Sequence, residues 1–321
     1  LGVLLVETWW LWAAFAAIVL TLLWVDIKFV GGKSHKVSMK EALTWSLVWF
    51  VVAMGFNAGV WAWLDYSVGR EIANAKALEF LTAYVIEKAL AVDNVFVWLM
   101  IFSYFAIPPE LQRRVLLYGV LGAIVMRAGM VFGGIWLINQ FHWLLYVFGA
   151  FLVFTGVKML LTADKETDLS TNRGLLWLRS KMKLTEHLEG ERFFVLREGV
   201  KYATPLFLVL ILVEISDLIF AVDSIPAIFA VTTDPFIVLT SNIFAIMGLR
   251  AMYFLLQGAA EKFSLLKYGL AIILVFIGFK LMLIDVFHLP ITVALGVVGT
   301  ILVGSMLLSL WVNRDKPARF E

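Results

Sequence analysis

Two copies of one acidic phrase lie inside apolar runs of this chain. The first reads Glu87-Lys88-Ala89-Leu90-Ala91-Val92-Asp93-Asn94, the second Asp217-Leu218-Ile219-Phe220-Ala221-Val222-Asp223-Ser224. In each, an acid stands six residues before the acid of an Ala-Val-Asp triplet, and an amide or hydroxyl follows. A charged side chain at the centre of a bilayer costs roughly 2.5–3.5 kcal/mol on insertion scales, so acids placed there point to an ion or substrate pathway. Meeting that cost twice, in matched phrases, makes a transport site the leading reading. The acids in these runs are Glu87, Asp93, Glu214, Asp217 and Asp223; Lys88, Arg127 and Arg250 are the deep bases expected to pair with them. Fully ionised, the set carries a formal charge of −2, which suits a divalent cation. Its ligands are all oxygens, with Asn94 and Ser224 adding an amide and a hydroxyl, and oxygen sets favour Mg, Ca or Mn over Zn or Cu.

Spacing constrains how such a site is built. Glu87 and Asp93 lie about 9 Å apart along a continuous helix and on different faces, so they share one small ion only if the helix unwinds. Pro226 offers a reason to unwind: it has no N–H to donate, which releases the carbonyl of Val222 beside Asp223 as a possible backbone ligand. The first copy has Phe96 at the equivalent place. Glu214 and Asp217, at i and i+3, share a face. The competing reading is that the acids only neutralise Lys88, Arg127 and Arg250 as interhelical ion pairs, while Asn94 and Ser224 only bridge helices.

Helices long enough to cross a bilayer must carry these groups. The 321 residues are 62% hydrophobic and 16% charged, against about 45–50% and 25% in soluble domains, so the chain is read as an all-α polytopic membrane protein. About 20 apolar residues are needed per crossing, which gives nine spans at 6–28, 41–64, 77–103, 114–138, 143–162, 204–231, 236–257, 265–286 and 290–312. The first run is too long for a signal peptide and reads as a retained span. The charged stretch 163–203 must lie in water, with Leu175, Leu176, Trp177 and Leu178 suited to a short surface helix. Alternate loops and the tail hold nineteen Lys and Arg, the opposite loops only Arg70 and Lys76. That bias predicts an external N-terminus and a cytoplasmic C-terminus. Lys158 and Lys280, near span ends, can snorkel to the interface.

The likeness extends beyond the acids. Leu152-Val153-Phe154-Thr155-Gly156-Val157-Lys158-Met159 matches Leu274-Val275-Phe276-Ile277-Gly278-Phe279-Lys280-Leu281, and Met126-Arg127-Ala128 matches Leu249-Arg250-Ala251. Each unit holds three spans, an odd number, so the second enters the membrane from the opposite face: an inverted repeat, with paired motif helices meeting at the midplane. The organisation predicted is accessory helices over 1–76, repeat 1 over 77–162, a cytoplasmic loop over 163–203, repeat 2 over 204–288, and a last span with its tail over 289–321. Gly119, Gly122, Gly129, Gly133 and Gly134 are read as sites of close helix packing.

Several functions are disfavoured. With no Cys and only four His, none in an HExxH pair, thiol chemistry and helix-borne zinc hydrolysis have no residues to carry them. No Gly-x-Gly-Asp phrase supports an intramembrane aspartyl protease, so an enzyme is not expected. No P-loop is present to couple ATP. A membrane scaffold or chaperone, recruiting partners through 163–203, is the alternative class.

The acidic phrase from Glu87 to Asn94, its partner from Glu214 through Ser216, Asp217 and Asp223 to Pro226, and the block Leu239-Thr240-Ser241-Asn242 running on to Phe254 resemble the paired signatures of the TerC family. The likeness covers nearly the whole chain, and the layout is similar to the Alx branch of that family. The resemblance implies manganese export across a bacterial inner membrane, with the acidic positions at Glu87, Asp93, Glu214, Asp217 and Asp223. The partners it implies are the transported Mn2+ and the bilayer, with protons as coupling ion from the energetics; no resident cofactor and no nucleic acid are expected. An acidic site would repel tellurite, so any tellurite tolerance would be indirect.

Overall fold

The computed structural model describes residues 9–27, 38–162, 182–197, 199–257, 265–286 and 289–313, apart from the side chains of Asp93 and Thr162. Its elements are α1 (Trp9–Val25), α2 (Met39–Ser67), α3 (Arg70–Tyr104), α4 (Pro109–Gln140), α5 (Leu144–Thr162), β1 (Phe194–Arg197), β2 (Val200–Ala203), α6 (Pro205–Phe229), α7 (Pro235–Met247), α8 (Leu249–Gln257), α9 (Leu266–Met282) and α10 (Ile291–Val312). Each of the nine expected apolar runs is helical over most of its length. Among the described residues, six segments are long and apolar enough to cross a membrane: α2, α4, α5, α6, the α7–α8 pair and α10. α3 has the length, at 35 residues, but its charges set it apart.

Helix starts follow local chemistry. Ser38 caps α2 by accepting the backbone N–H of Glu41, and Asp234 caps α7 by accepting that of Phe236, each satisfying a donor the helix leaves open. Pro109, Pro205 and Pro235 sit in the first turns of α4, α6 and α7, where a missing N–H costs nothing. Pro226 lies inside α6, yet the helix runs through it to Phe229. The unwinding for which Pro226 gave a reason therefore does not occur. The Val222 side chain faces outward, and its carbonyl stays within a continuous helix.

α3 and α4 each pack against α6 and α7, making a central group of four, with α2 and α8 alongside. The α7–α8 pair is buried over almost its whole length, whereas α10 lies at the periphery. α5 and α9 pack beside the central group, backbone against backbone. A Cβ at Gly278 would lie 2.7 Å from the carbonyl oxygen of Gly149, and one at Gly149 would lie 2.8 Å from that of Gly278. One at Gly156 would lie 2.7 Å from the carbonyl of Ala271. The small residues are seven apart in both helices, one face of each, and the pairings run in opposite senses, so the helices are antiparallel. Of the five glycines expected to pack closely, Gly119 and Gly134 face Val213 and Phe229, Gly122 faces Glu214, and Gly129 and Gly133 face nothing within 4 Å.

The stretch expected to be a charged loop in water contains a hairpin, with Phe194 opposite Ala203 and Arg197 opposite Val200. Gly199, at φ +77°, supplies the left-handed residue its tight turn requires. Arg114 at the start of α4 holds it through Glu191 at 2.6 Å and through the face of Phe193. Leu175 to Leu178 lie outside the described residues.

The glycine faces predict a stability contrast. Gly278→Leu should cost about 1–3 kcal/mol through overpacking and lower the melting temperature of the purified protein in detergent. Gly296→Leu, where nothing lies within 4 Å of the added Cβ, should leave it unchanged; equal melting temperatures for the two would contradict the packing described.

Candidate cation site

Arg127 projects from the middle of α4 and is 1% exposed. Its Nε and Nη2 donate to the two carboxylate oxygens of Asp217, at 3.1 and 2.8 Å. Its Nη1 donates to Glu87 Oε1, with Asn242 Oδ1 at 3.3 Å and Ser224 Oγ at 3.4 Å. Asn94 Nδ2 donates to Asp217 Oδ1 at 2.9 Å, and Asn242 Nδ2 to Glu87 Oε2 at 3.4 Å. Oxygens from α3, α6 and α7 thus converge on one guanidinium from α4. Helical period explains which residues arrive. Glu87 and Asn94 are seven apart and share a face of α3; Asp217 and Ser224 do the same on α6. The Ala-Val-Asp acids are one residue off that face. Asp223 is accordingly rotated away from Arg127.

Asp223 lines an adjoining cavity of about 480 Å³, with Glu87, Asn94, Arg127, Thr155 and Lys158 also on its wall. Thr155 and Lys158 lie close to the Asp223 carboxylate on the same wall, so Lys158 belongs to the cavity rather than merely to the interface. Asp223 Oδ1 has no hydrogen-bond partner among the described residues. The cavity begins beside Glu87, at mid-helix in α3, and reaches Val97, Met159 and Lys267, near the ends of α3, α5 and α9. Glu214 stands apart. Its carboxylate fills the space that a Cβ on Gly122 would occupy, and its Oε2 has no partner among the described residues. The Asp93 side chain lies outside the described residues, so its expected approach to Asp223 does too.

Two of the three expected base–acid pairings are corrected. Lys88 donates to the carbonyl of Ala245 at 2.9 Å, in the last turn of α7, where unbonded carbonyls and the helix dipole attract a cation. Arg250 pairs with buried Asp26, just beyond α1. The residue ahead of each matched triplet accounts for the divergence of the arginines. Val125 precedes Met126 in an unbroken α4, whereas Gly248 precedes Leu249 and interrupts the helix, as the weak helix propensity of glycine allows. The Gly248 position also leaves room for the Lys88 ammonium. Lys280 donates to the carbonyl of Ala230 at 2.8 Å, past the end of α6.

Among the described residues, no three acidic or imidazole side chains gather closely enough to hold a metal; Arg127 stands between Glu87 and Asp217. The sequence reading missed Asn242, Thr155 and Asp26. Three consecutive polar residues, Thr240, Ser241 and Asn242, were a usable signal in an apolar run. The two hydroxyls bond their own helix, to Phe236 O and Val238 O, which leaves Asn242 to reach outward.

Apolar helices around buried carboxylates and a cavity define a multi-pass integral membrane protein. The profile described as “Integral membrane protein TerC family” matches residues 72–317, and the chain belongs to that family. It is 59% identical over 314 residues to a Salmonella typhi protein named “Putative membrane-bound redox modulator Alx”, covering 97% of this chain and 98% of the relative. A protein of the same name from Escherichia coli K12 is 60% identical over 304 residues, 94% of this chain and 95% of the relative. An uncharacterized membrane protein of Myxococcus xanthus is 48% identical over 307 residues, 96% and 94% of the two chains. No solved structure matches.

The two acids of the second phrase should separate in a stability assay. Asp217→Asn breaks the two-pronged contact to a buried guanidinium that keeps only Glu87 as counter-charge, a loss of about 1.5–3 kcal/mol, the scale of a hydrogen bond to a charged group. Asp223→Asn, on a cavity wall, should keep a melting temperature near wild type. The reverse order would contradict the roles assigned to these acids.

Proposed function

We propose that this protein is a secondary transporter, not an enzyme, that exports Mn2+ or a similar hard divalent cation from the bacterial cytoplasm. One observation carries the reading: carboxylates, amides and a hydroxyl from three helices converge, fully buried, beside a cavity whose wall bears the incompletely bonded Asp223. An apolar bundle has no structural need for so many desolvated acids, and hard cations are bound by such oxygens. Glu87, Asp93, Asn94, Glu214, Asp217, Asp223 and Ser224 are the proposed transport residues, and Asn242 joins them. Mn2+ is cargo here, and no resident cofactor is invoked.

The antiparallel Gly149–Gly278 and Gly156–Ala271 contacts support two inverted three-helix units within nine crossings. The positive-inside bias supports an external N-terminus and a cytoplasmic C-terminus, so the cavity extends toward the cytoplasm, past Lys158 and Lys267. The other end is drawn together by Lys76, which pairs with Glu79 at 2.9 Å and Asp234 at 3.1 Å, and by Thr232, which donates to Glu79 at 2.6 Å. Moving a divalent cation out against an inside-negative potential costs about 4.6 kcal/mol per 100 mV. Two protons entering per ion would cancel that electrical cost, with buried carboxylates carrying protons in place of metal. A direct thiol redox role has no residue to carry it, because the chain has no Cys. Redox effects of the kind named for the relatives would follow, for this chain, from metal handling.

The scaffold reading draws on the same pairs, since Arg127 neutralises Glu87 and Asp217 much as a structural ion pair would. Cells separate the two. Asp93→Asn and Asp223→Asn, at matched membrane expression, should each abolish the manganese tolerance conferred by the wild-type protein. Undiminished tolerance in both variants would favour the scaffold.

A further inference from the structure

The position of Arg127 says more than neutralisation requires. Its guanidinium touches oxygens of Glu87, Asp217, Ser224 and Asn242, a set of the kind a hard cation takes. Guanidinium donors lie in one plane, so a planar cation can leave an acceptor unused in a shell that a spherical ion would fill. Such an acceptor is present. Asn94 is fully buried, its Nδ2 is bonded to Asp217, and its Oδ1 has no partner among the described residues. A buried acceptor without a donor is uncommon in native structures and calls for a physical reason. Arg127 also forms part of the cavity wall, so its long, flexible stem has free space beside it.

We propose that Arg127 is a tethered counter-cation: its guanidinium holds the seat between Glu87 and Asp217 that the transported cation takes, so that cation entry and withdrawal of Arg127 are a single exchange. The inference rests on the cation-transport reading above. In this arrangement the buried carboxylates are never left bare. When cargo departs, the guanidinium returns and restores the charge balance of the seat. Arg127 is thus a competitor built into the chain, lowering cation affinity enough for release.

The test is equilibrium Mn2+ binding to the full chain in lipid nanodiscs, read from the electron paramagnetic resonance of free Mn2+. Removing a neighbouring positive charge from a buried site favours its cationic occupant by about one to three powers of ten. Arg127→Gln should therefore bind Mn2+ about tenfold or more tightly than wild type. A residue that merely holds the helices in register would have the opposite effect, because its loss would scatter the oxygens. Unchanged or weaker binding by the folded variant overturns the proposal. Should Arg127→Gln fail to insert, Arg127→Lys is read instead. One ammonium cannot bridge both carboxylates as the guanidinium fork does, so this variant should bind Mn2+ more tightly than wild type by a smaller factor, and an unchanged or weaker Kd overturns the proposal equally. Wild type that binds Mn2+ while the variants bind no better removes only the tethered role. Absence of Mn2+ binding in wild type and variants alike removes the transport reading with it.

Discussion

A guanidinium cut off from water must carry its counter-charges with it, and in this fold Arg127 draws them from two other helices. Glu87 comes from α3, Asp217 from α6, and Asn242 from α7 adds a neutral oxygen. Desolvation of the three charges is offset only while all remain together, because removing one partner strands another in a medium that cannot solvate it. The central four helices are therefore fixed to one another by electrostatics at the same depth where packing holds them. The neighbouring cavity inherits its chemistry from that arrangement. Asp223 and Asn94 reach its wall because their helices are already set by the Arg127 cluster.

Helical period made much of this legible in the sequence. Glu87 with Asn94, and Asp217 with Ser224, are spaced to share a face, and the Ala-Val-Asp acids are spaced to miss it. The apolar runs located the helices because length and composition alone decide what can cross a bilayer. Partner choice was not legible. Arg250 reads like Arg127 in its local triplet, but the break at Gly248 and the presence of Asp26 beyond α1 send it elsewhere. Lys88 sits beside Glu87 in sequence yet serves the carbonyls at the end of α7. The β1–β2 hairpin was hidden by the charge of its surroundings, although Glu198-Gly199 between two short alternating segments carried a hairpin signal.

On the inverted-repeat reading proposed above, the two units divide the chemistry between them. α5 and α9 still meet through equivalent small residues, Gly149 and Gly156 on one helix and Ala271 and Gly278 on the other. The arginine-bearing helices have diverged: α4 runs unbroken and aims Arg127 at the centre, whereas α7 and α8 divide at Gly248 and turn Arg250 toward the accessory helix α1. A site holding both arginines would carry one more positive charge and lose the excess negative charge that attracts a cation. Retaining Arg127 alone leaves the Glu87–Arg127–Asp217 group a formal excess of negative charge, which is the balance a cation pathway needs.

Flux across a sealed membrane tests this account most directly. The purified protein would be reconstituted into vesicles loaded with a pH-sensitive dye, and Mn2+ added on one side under an imposed pH gradient. The account predicts Mn2+ movement with protons moving the opposite way, both lost in Asp223→Asn. Mn2+ that fails to cross through the wild-type protein at any imposed gradient would contradict it.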